Sequence, residues 1–248
     1  MNRKIAFAIP NIFTAASLIS ALVALNMIVA ESYISAVWLI TLSLFLDGFD
    51  GKMARILNAT SKIGAQADSL SDFVAFGVIP GFFAWTYGLH KFGFIGFFIF
   101  IVYILCGGFR LARFNVLAEK NANKEEFVGL PIPAAAATIC SFIYFSEVLF
   151  PAESLGFVLL FILPIMSYLM VSNIPYMAVN KKKIKKKHLS MLFVAGAAVM
   201  ILAILHFVWV YLICTWVYVC YGLYNQTMIY MSKKPRKAKK RVASSDER

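Results

Sequence analysis

Acidic residues are scarce in this chain: 12 Asp and Glu stand against 24 Lys and Arg, with three His among 248 residues. Four of those acids nevertheless fall in one stretch, Asp47 to Asp72. Cysteine is thin as well, and Cys106, Cys140, Cys214 and Cys220 all lie in apolar runs without a CxxC spacing. That argues against a disulfide framework or a thiolate metal site and leaves them as packing residues, silent about redox compartment. The basic side chains lack the interleaved aromatics of a base-stacking surface, so a net charge of +12 does not imply nucleic acid. His90, His188 and His206 fall in loops or at the end of an apolar run, away from the acidic stretch, and are read as non-catalytic.

What the chain has in abundance is hydrocarbon, with 61% hydrophobic residues and 15% charged. That composition lies outside the range of soluble domains. A membrane-crossing helix needs about 20 apolar residues. The sequence predicts an all-α, polytopic membrane protein of about eight such helices: Asn11 to Ala30, Ile34 to Leu57, Gly64 to Gly88, Phe92 to Ala118, Pro131 to Phe150, Leu155 to Ile174, Leu189 to His206 and Phe207 to Thr227. Pro131 and Pro133 are expected to set the start of the fifth. The first run is long, lacks a small-x-small cleavage site and is followed at once by more membrane, so it reads as an uncleaved span.

Alternating the loops between two sides collects 23 of the 24 basic residues on one side, leaving Lys91 on the other beside Glu31, Glu147 and Glu153. By the positive-inside rule both termini and the acidic stretch face the cytoplasm, in a cytoplasmic (inner) membrane. The runs KKKIKKK, Lys181 to Lys187, and KKPRKAKKR near the C-terminus read as stop-transfer signals that attract anionic lipid. Residues 1–230 are expected to form one membrane domain and 231–248 a basic, disordered tail.

Ionisable groups in a membrane segment are costly, which makes them a functional hypothesis by default. Asp47 and Asp50 are three apart near the end of the second span, and Asp68 and Asp72 four apart near the start of the third. Both spacings put a pair on one helix face. The short connection Asn58 to Ile63 is expected to make the two helices antiparallel neighbours whose acidic faces meet. Four carboxylates in one pocket cannot all stay ionised without cations. Oxygen donors with no nearby His or Cys suit hard divalent ions, Mg²⁺ or Mn²⁺. Two such ions about 3.5–4 Å apart stabilise the attacking and leaving oxygens of displacement at phosphorus, which points to a phosphate-containing substrate. Gly48, Gly51 and Ala54, at three-residue steps, and Gly64, one turn before Asp68, are small enough for a helix or a flat nucleotide to approach the backbone.

The stretch DGFDGKMAR, eight residues, then GAQADSLSD matches at every fixed position the DxxDGxxAR(x8)GxxxDxxxD signature of the CDP-alcohol phosphatidyltransferases, and on those residues the chain resembles that family. The resemblance implies transfer of a phosphatidyl group from a CDP-lipid to an alcohol with release of CMP, at a two-metal site on the cytosolic side, and suggests a homodimer. Carried over by position, it makes Asp47, Asp50 and Asp68 metal ligands, with Asp68 shared between ions. Asp72 becomes the fourth carboxylate of the metal centre and the base that deprotonates the acceptor. Gly51, Ala54, Arg55 and Gly64 match positions that hold the cytidine diphosphate; Gly48 joins them only by its place on the same helix.

Three further stretches, IPNIFT (Ile9 to Thr14), GGFRLARFN (Gly107 to Asn115) and GLPIPAAA (Gly129 to Ala136), resemble the phosphatidylserine synthase branch of the family. That implies CDP-diacylglycerol as donor and L-serine as acceptor. Arg110 and Arg113 share a helix face, and a guanidinium fork suits a serine carboxylate or a donor phosphate; interfacial snorkelling is the plainer alternative. Asn115 is placed to hydrogen-bond the serine or orient an arginine. Glycerol 3-phosphate, choline or an inositol phosphate is the alternative acceptor. From another class, intramembrane aspartates suit a divalent-cation transporter, although clustering at one end of the spans argues against a path across the membrane.

Overall fold

The computed structural model describes residues 3–57, 61–120, 126–150, 155–177, 209–224 and 227. Their architecture is a helical bundle. Helix α1 (Arg3–Val29) reverses into α2 (Tyr33–Ile56) within three residues. The reversal closes by a Schellman-type pair, Ser32 N–H to Met27 O at 2.8 Å and Glu31 N–H to Ile28 O at 3.0 Å, with Glu31 in the left-handed region at φ 57°. So tight a turn forces α1 and α2 to run antiparallel in contact. Ser17 and Ser43 clasp across them, each hydroxyl donating to the other's carbonyl at 3.0 and 2.9 Å, and Ser20 donates to Leu39 O at 2.8 Å. Buried Ala21, Ala24 and Ala36 let the backbones close up.

Helix α3 (Lys62–Asp72) starts at Ser61, whose hydroxyl accepts from Gly64 N–H at 2.9 Å. It continues through a π-helical segment, Phe73–Val78, into α4 (Ile79–Tyr87). Pro80 has no N–H to give the Phe76 carbonyl four residues back. The buried Tyr103 hydroxyl donates to that carbonyl instead, at 3.1 Å. Helix α5 (Gly93–Lys120) crosses here, with Gly107 facing Gly77 and Gly108 facing the Phe73 ring.

Beyond α5, strand β1 (Glu126–Val128) precedes α6 (Ile132–Leu149), and α7 (Leu159–Val171) precedes strand β2 (Pro175–Met177). The strands pair antiparallel, Phe127 opposite Tyr176. This short ladder has no counterpart in the apolar-run reading. Pro131 caps α6, as expected from its position. Helix α8, Trp209–Tyr224, is tied to α6 by Ser141 and Thr215 at 3.0 Å.

Among the described residues, five helices are long and apolar enough to cross a membrane: Pro10–Val29, Tyr33–Met53, Ile63–Tyr87, Leu89–Leu117 and Ile132–Leu149. They match the first five expected spans. The sixth is shorter than expected, Gly156–Val171, and Trp209–Tyr224 is likewise short of a full span. The expected seventh span, KKKIKKK, His188, His206 and the basic tail lie outside the described residues. All four cysteines are free: Cys140 is buried and Cys106 half-buried, whereas Cys214 and Cys220 are exposed rather than packed.

Candidate functional site

The signature aspartates converge. One carboxylate oxygen from each of Asp47, Asp50 and Asp68 lies within 4.8 Å of the others. Asp72 completes the group, its carboxyl within hydrogen-bonding reach of Asp47. Asp50 and Asp68 form a second such pair. Carboxyl pairs at that range need a proton or a cation between them. The Oδ1 of Asp68 is buried without a hydrogen-bond partner among the described residues, a donor atom left for something other than protein. This all-oxygen set fits a hard divalent cation.

The way the aspartates meet differs from the simple hairpin expectation. Helices α2 and α3 do not pack closely; α1 packs against both. Thr14 of α1 donates its hydroxyl to Asp50 Oδ2 at 2.8 Å, and the Thr14 carbonyl lies 3.4 Å from the Ser71 hydroxyl, next to Asp72. A gap between α2 and α3 is thus lined by carboxylates and closed on one side by α1.

Gly48 is exposed, and a Cβ added there would meet no atom within 4 Å. It is therefore not a helix-packing glycine. Gly64 is the opposite case: a Cβ would sit 2.9 Å from Ser61 Oγ and 3.3 Å from Asn11 Oδ1. Gly51 is half-buried on the same helix as Asp47 and Asp50, and Ala54 and Arg55 lie in its last turns.

The two arginines part company. The Arg113 guanidinium donates to the carbonyls of Val171 at 2.9 Å, Ser172 at 3.0 Å and Met170 at 3.3 Å, and to Asn173 Oδ1 at 3.3 Å. Those are the orphan acceptors at the C-terminus of α7, so Arg113 caps a helix. Gly129, at φ 84°, leaves room for it, since a Cβ there would sit 2.6 Å from its Nη2.

Arg110 is 6% exposed, packs over the Phe114 ring at 5.2 Å and lies within electrostatic range of Asp72 and of Tyr218 on α8. Its Nε is buried without a hydrogen-bond partner among the described residues. A buried guanidinium beside the acidic cluster, with a donor to spare, suits a bound anion. Snorkelling does not describe either arginine.

Asn115 donates to Ser69 Oγ at 3.0 Å, tying α5 to α3 one residue from Asp68. His90 contacts Trp85 O at 3.1 Å, in the short turn Leu89–Phe92 that follows the Ile63–Tyr87 span at the end away from Asp68 and Asp72. Thr14, Ser69 and Ser71 were not singled out from the sequence. The recurrence of Thr14, Ser17 and Ser20 at three-residue steps in an otherwise apolar run is the signal that could have found the first.

A family model described as CDP-alcohol phosphatidyltransferase matches residues 7–223. A Helicobacter pylori protein named CDP-diacylglycerol–serine O-phosphatidyltransferase is 38% identical over 185 residues, 72% of this chain and 75% of that protein. A Bacillus subtilis protein of the same name is 37% identical over 170 residues, 68% of this chain and 89% of its own. One from Methanocaldococcus jannaschii is 40% identical over 104 residues, 42% and 48% respectively.

Proposed function

The chain belongs to the CDP-alcohol phosphatidyltransferase family, and we propose that it moves the phosphatidyl group of CDP-diacylglycerol onto the hydroxyl of L-serine, giving phosphatidylserine and CMP. The observation that carries this reading is the convergence of Asp47, Asp50, Asp68 and Asp72. The names borne by the relatives, and the buried Arg110 beside Asp72, support serine as the acceptor.

In this reading Asp47, Asp50, Asp68 and Asp72 would hold two divalent ions, Mg²⁺ or Mn²⁺. When bound, the ions neutralise the diphosphate and make CMP a better leaving group. Gly48, Gly51, Ala54, Arg55 and Gly64 receive the cytidine diphosphate along α2 and the start of α3. Arg110 takes the serine carboxylate, and Asp72 accepts the proton of the serine hydroxyl. The freed oxygen bonds to the β-phosphorus of the donor in line, as the phosphoanhydride bond to CMP breaks; no covalent enzyme intermediate is required. Arg113 and Asn115 hold α7 and α3 in place around the acceptor rather than touching it.

The same reading puts the site at the cytoplasmic face of an inner membrane in an eight-span topology, with basic loops on anionic lipid. Incorporation of labelled serine into lipid, dependent on CDP-diacylglycerol and divalent metal, tests the reaction. Incorporation of glycerol 3-phosphate, choline or inositol phosphate in place of serine would keep the site and change the acceptor.

A further inference from the structure

We infer that Thr14 is a positioning residue for the cation site, its hydroxyl orienting Asp50 on the acidic face of α2 while its main-chain carbonyl lies against Ser71 of α3. The inference rests on the proposed cation site. Thr14 lies within range of two acceptors, Asp50 Oδ2 at 2.8 Å and Pro10 O at 3.2 Å, and has one proton to give. The shorter, charge-assisted bond to the carboxylate is the stronger. Asp50 is 4% exposed and so depends on protein donors for its orientation. With one lone pair of Oδ2 fixed by Thr14, the remaining lone pairs are held toward the Asp47 and Asp68 side.

The register that brings Thr14 to Asp50 is built one turn further along. The reciprocal Ser17–Ser43 clasp and the bond from Ser20 to Leu39 O lock α1 against α2. Because α2 and α3 do not pack closely, the Thr14 hydroxyl on Asp50 and the Thr14 main-chain carbonyl beside the Ser71 hydroxyl are a route by which the two halves of the site are held in relation, and a change of side chain removes only the first. Ligand-orienting partners of this kind typically change metal affinity about 10–100-fold when removed.

The test is Mn²⁺ binding to the purified protein without CDP-lipid, followed by the electron paramagnetic resonance of free Mn²⁺, with thermal melting in parallel. Thr14→Val, which keeps shape and loses the hydroxyl, is expected to weaken Mn²⁺ binding about tenfold. Thr14→Ser restores it to within about twofold of wild type, because the donor is back. Ser17→Ala keeps the Ser43 hydroxyl's bond to the Ser17 carbonyl and the Ser20 bond to Leu39 O, and with them the register, so it is expected to lower the melting temperature and leave Mn²⁺ affinity near wild type. Should Thr14→Val not fold, Thr14→Ala carries the same comparison. Wild-type Mn²⁺ affinity in a folded Thr14→Val or Thr14→Ala protein overturns the positioning role and leaves the cation site standing. No Mn²⁺ binding by the wild type overturns the cation site and the role of Thr14 together.

Discussion

Asn115 on α5 and Ser69 on α3 exchange hydrogen bonds, the amide donating to Oγ at 3.0 Å and the hydroxyl donating back to Oδ1 at 3.4 Å. The pair fixes α3 one residue from Asp68. Asn115→Ala and Ser69→Ala should each cost about 1 kcal/mol of stability. The double variant should cost less than the two added together, since the partners share one interaction. Melting of the four proteins in one detergent measures the coupling; strictly additive losses would show that the contact carries none.

The arginines should separate in kinetics as they do in space. Arg110→Ala is expected to raise the KM for serine at least tenfold with little loss of melting temperature. Arg113→Ala removes the cap from α7 and should cost about 1.5–3 kcal/mol, the range for hydrogen bonds to a charged group, with the serine KM near wild type. Steady-state kinetics beside melting curves separate the two, and a raised serine KM in Arg113→Ala would return that residue to the acceptor site.

Gly48 and Gly64 make a matched pair. Alanine at Gly48 meets open space and relieves a glycine inside a helix, so stability should hold or rise by about 0.5–1 kcal/mol. Donor binding should weaken nonetheless if, as proposed, the cytidine diphosphate lies along this glycine. Alanine at Gly64 strikes the Ser61 hydroxyl and should lower stability and activity together. Unchanged CDP-diacylglycerol KM in Gly48→Ala would remove Gly48 from the proposed donor site.

Asp68→Ala should lose metal-dependent CDP-lipid binding and turnover together, because its carboxylate faces both Asp50 and the orphaned side of the cluster. Titrating CDP-lipid binding with Mn²⁺ reads the effect. An unchanged metal requirement would remove Asp68 from the ligand set.

Much of this was legible in the sequence because membrane helices announce themselves. Five apolar runs became five long helices, and the spacing of Asp47, Asp50, Asp68 and Asp72 put their carboxyls on faces that meet. What stayed hidden depends on contacts between residues far apart in the chain. Arg110 and Arg113 look equivalent at a spacing of three, yet the C-terminus of α7 claims one and the acidic cluster flanks the other. Beside the π-helical segment at Phe73–Val78, Pro80 frees the Phe76 carbonyl and the remote Tyr103 hydroxyl takes it, and only the proline is local. Thr14 in an apolar run looks like a tolerated hydroxyl until the α1–α2 register is known.

The central claim is that this aspartate site transfers a phosphatidyl group to serine, and CMP release measures it most directly. Purified protein with CDP-diacylglycerol and Mg²⁺ or Mn²⁺ should release CMP when L-serine is added and not when it is omitted. Asp72→Asn, folded and still binding CDP-lipid, should release almost none. Serine-dependent CMP release at the wild-type rate from Asp72→Asn would contradict the role of Asp72, and no release from folded wild-type protein with any acceptor would contradict the account as a whole.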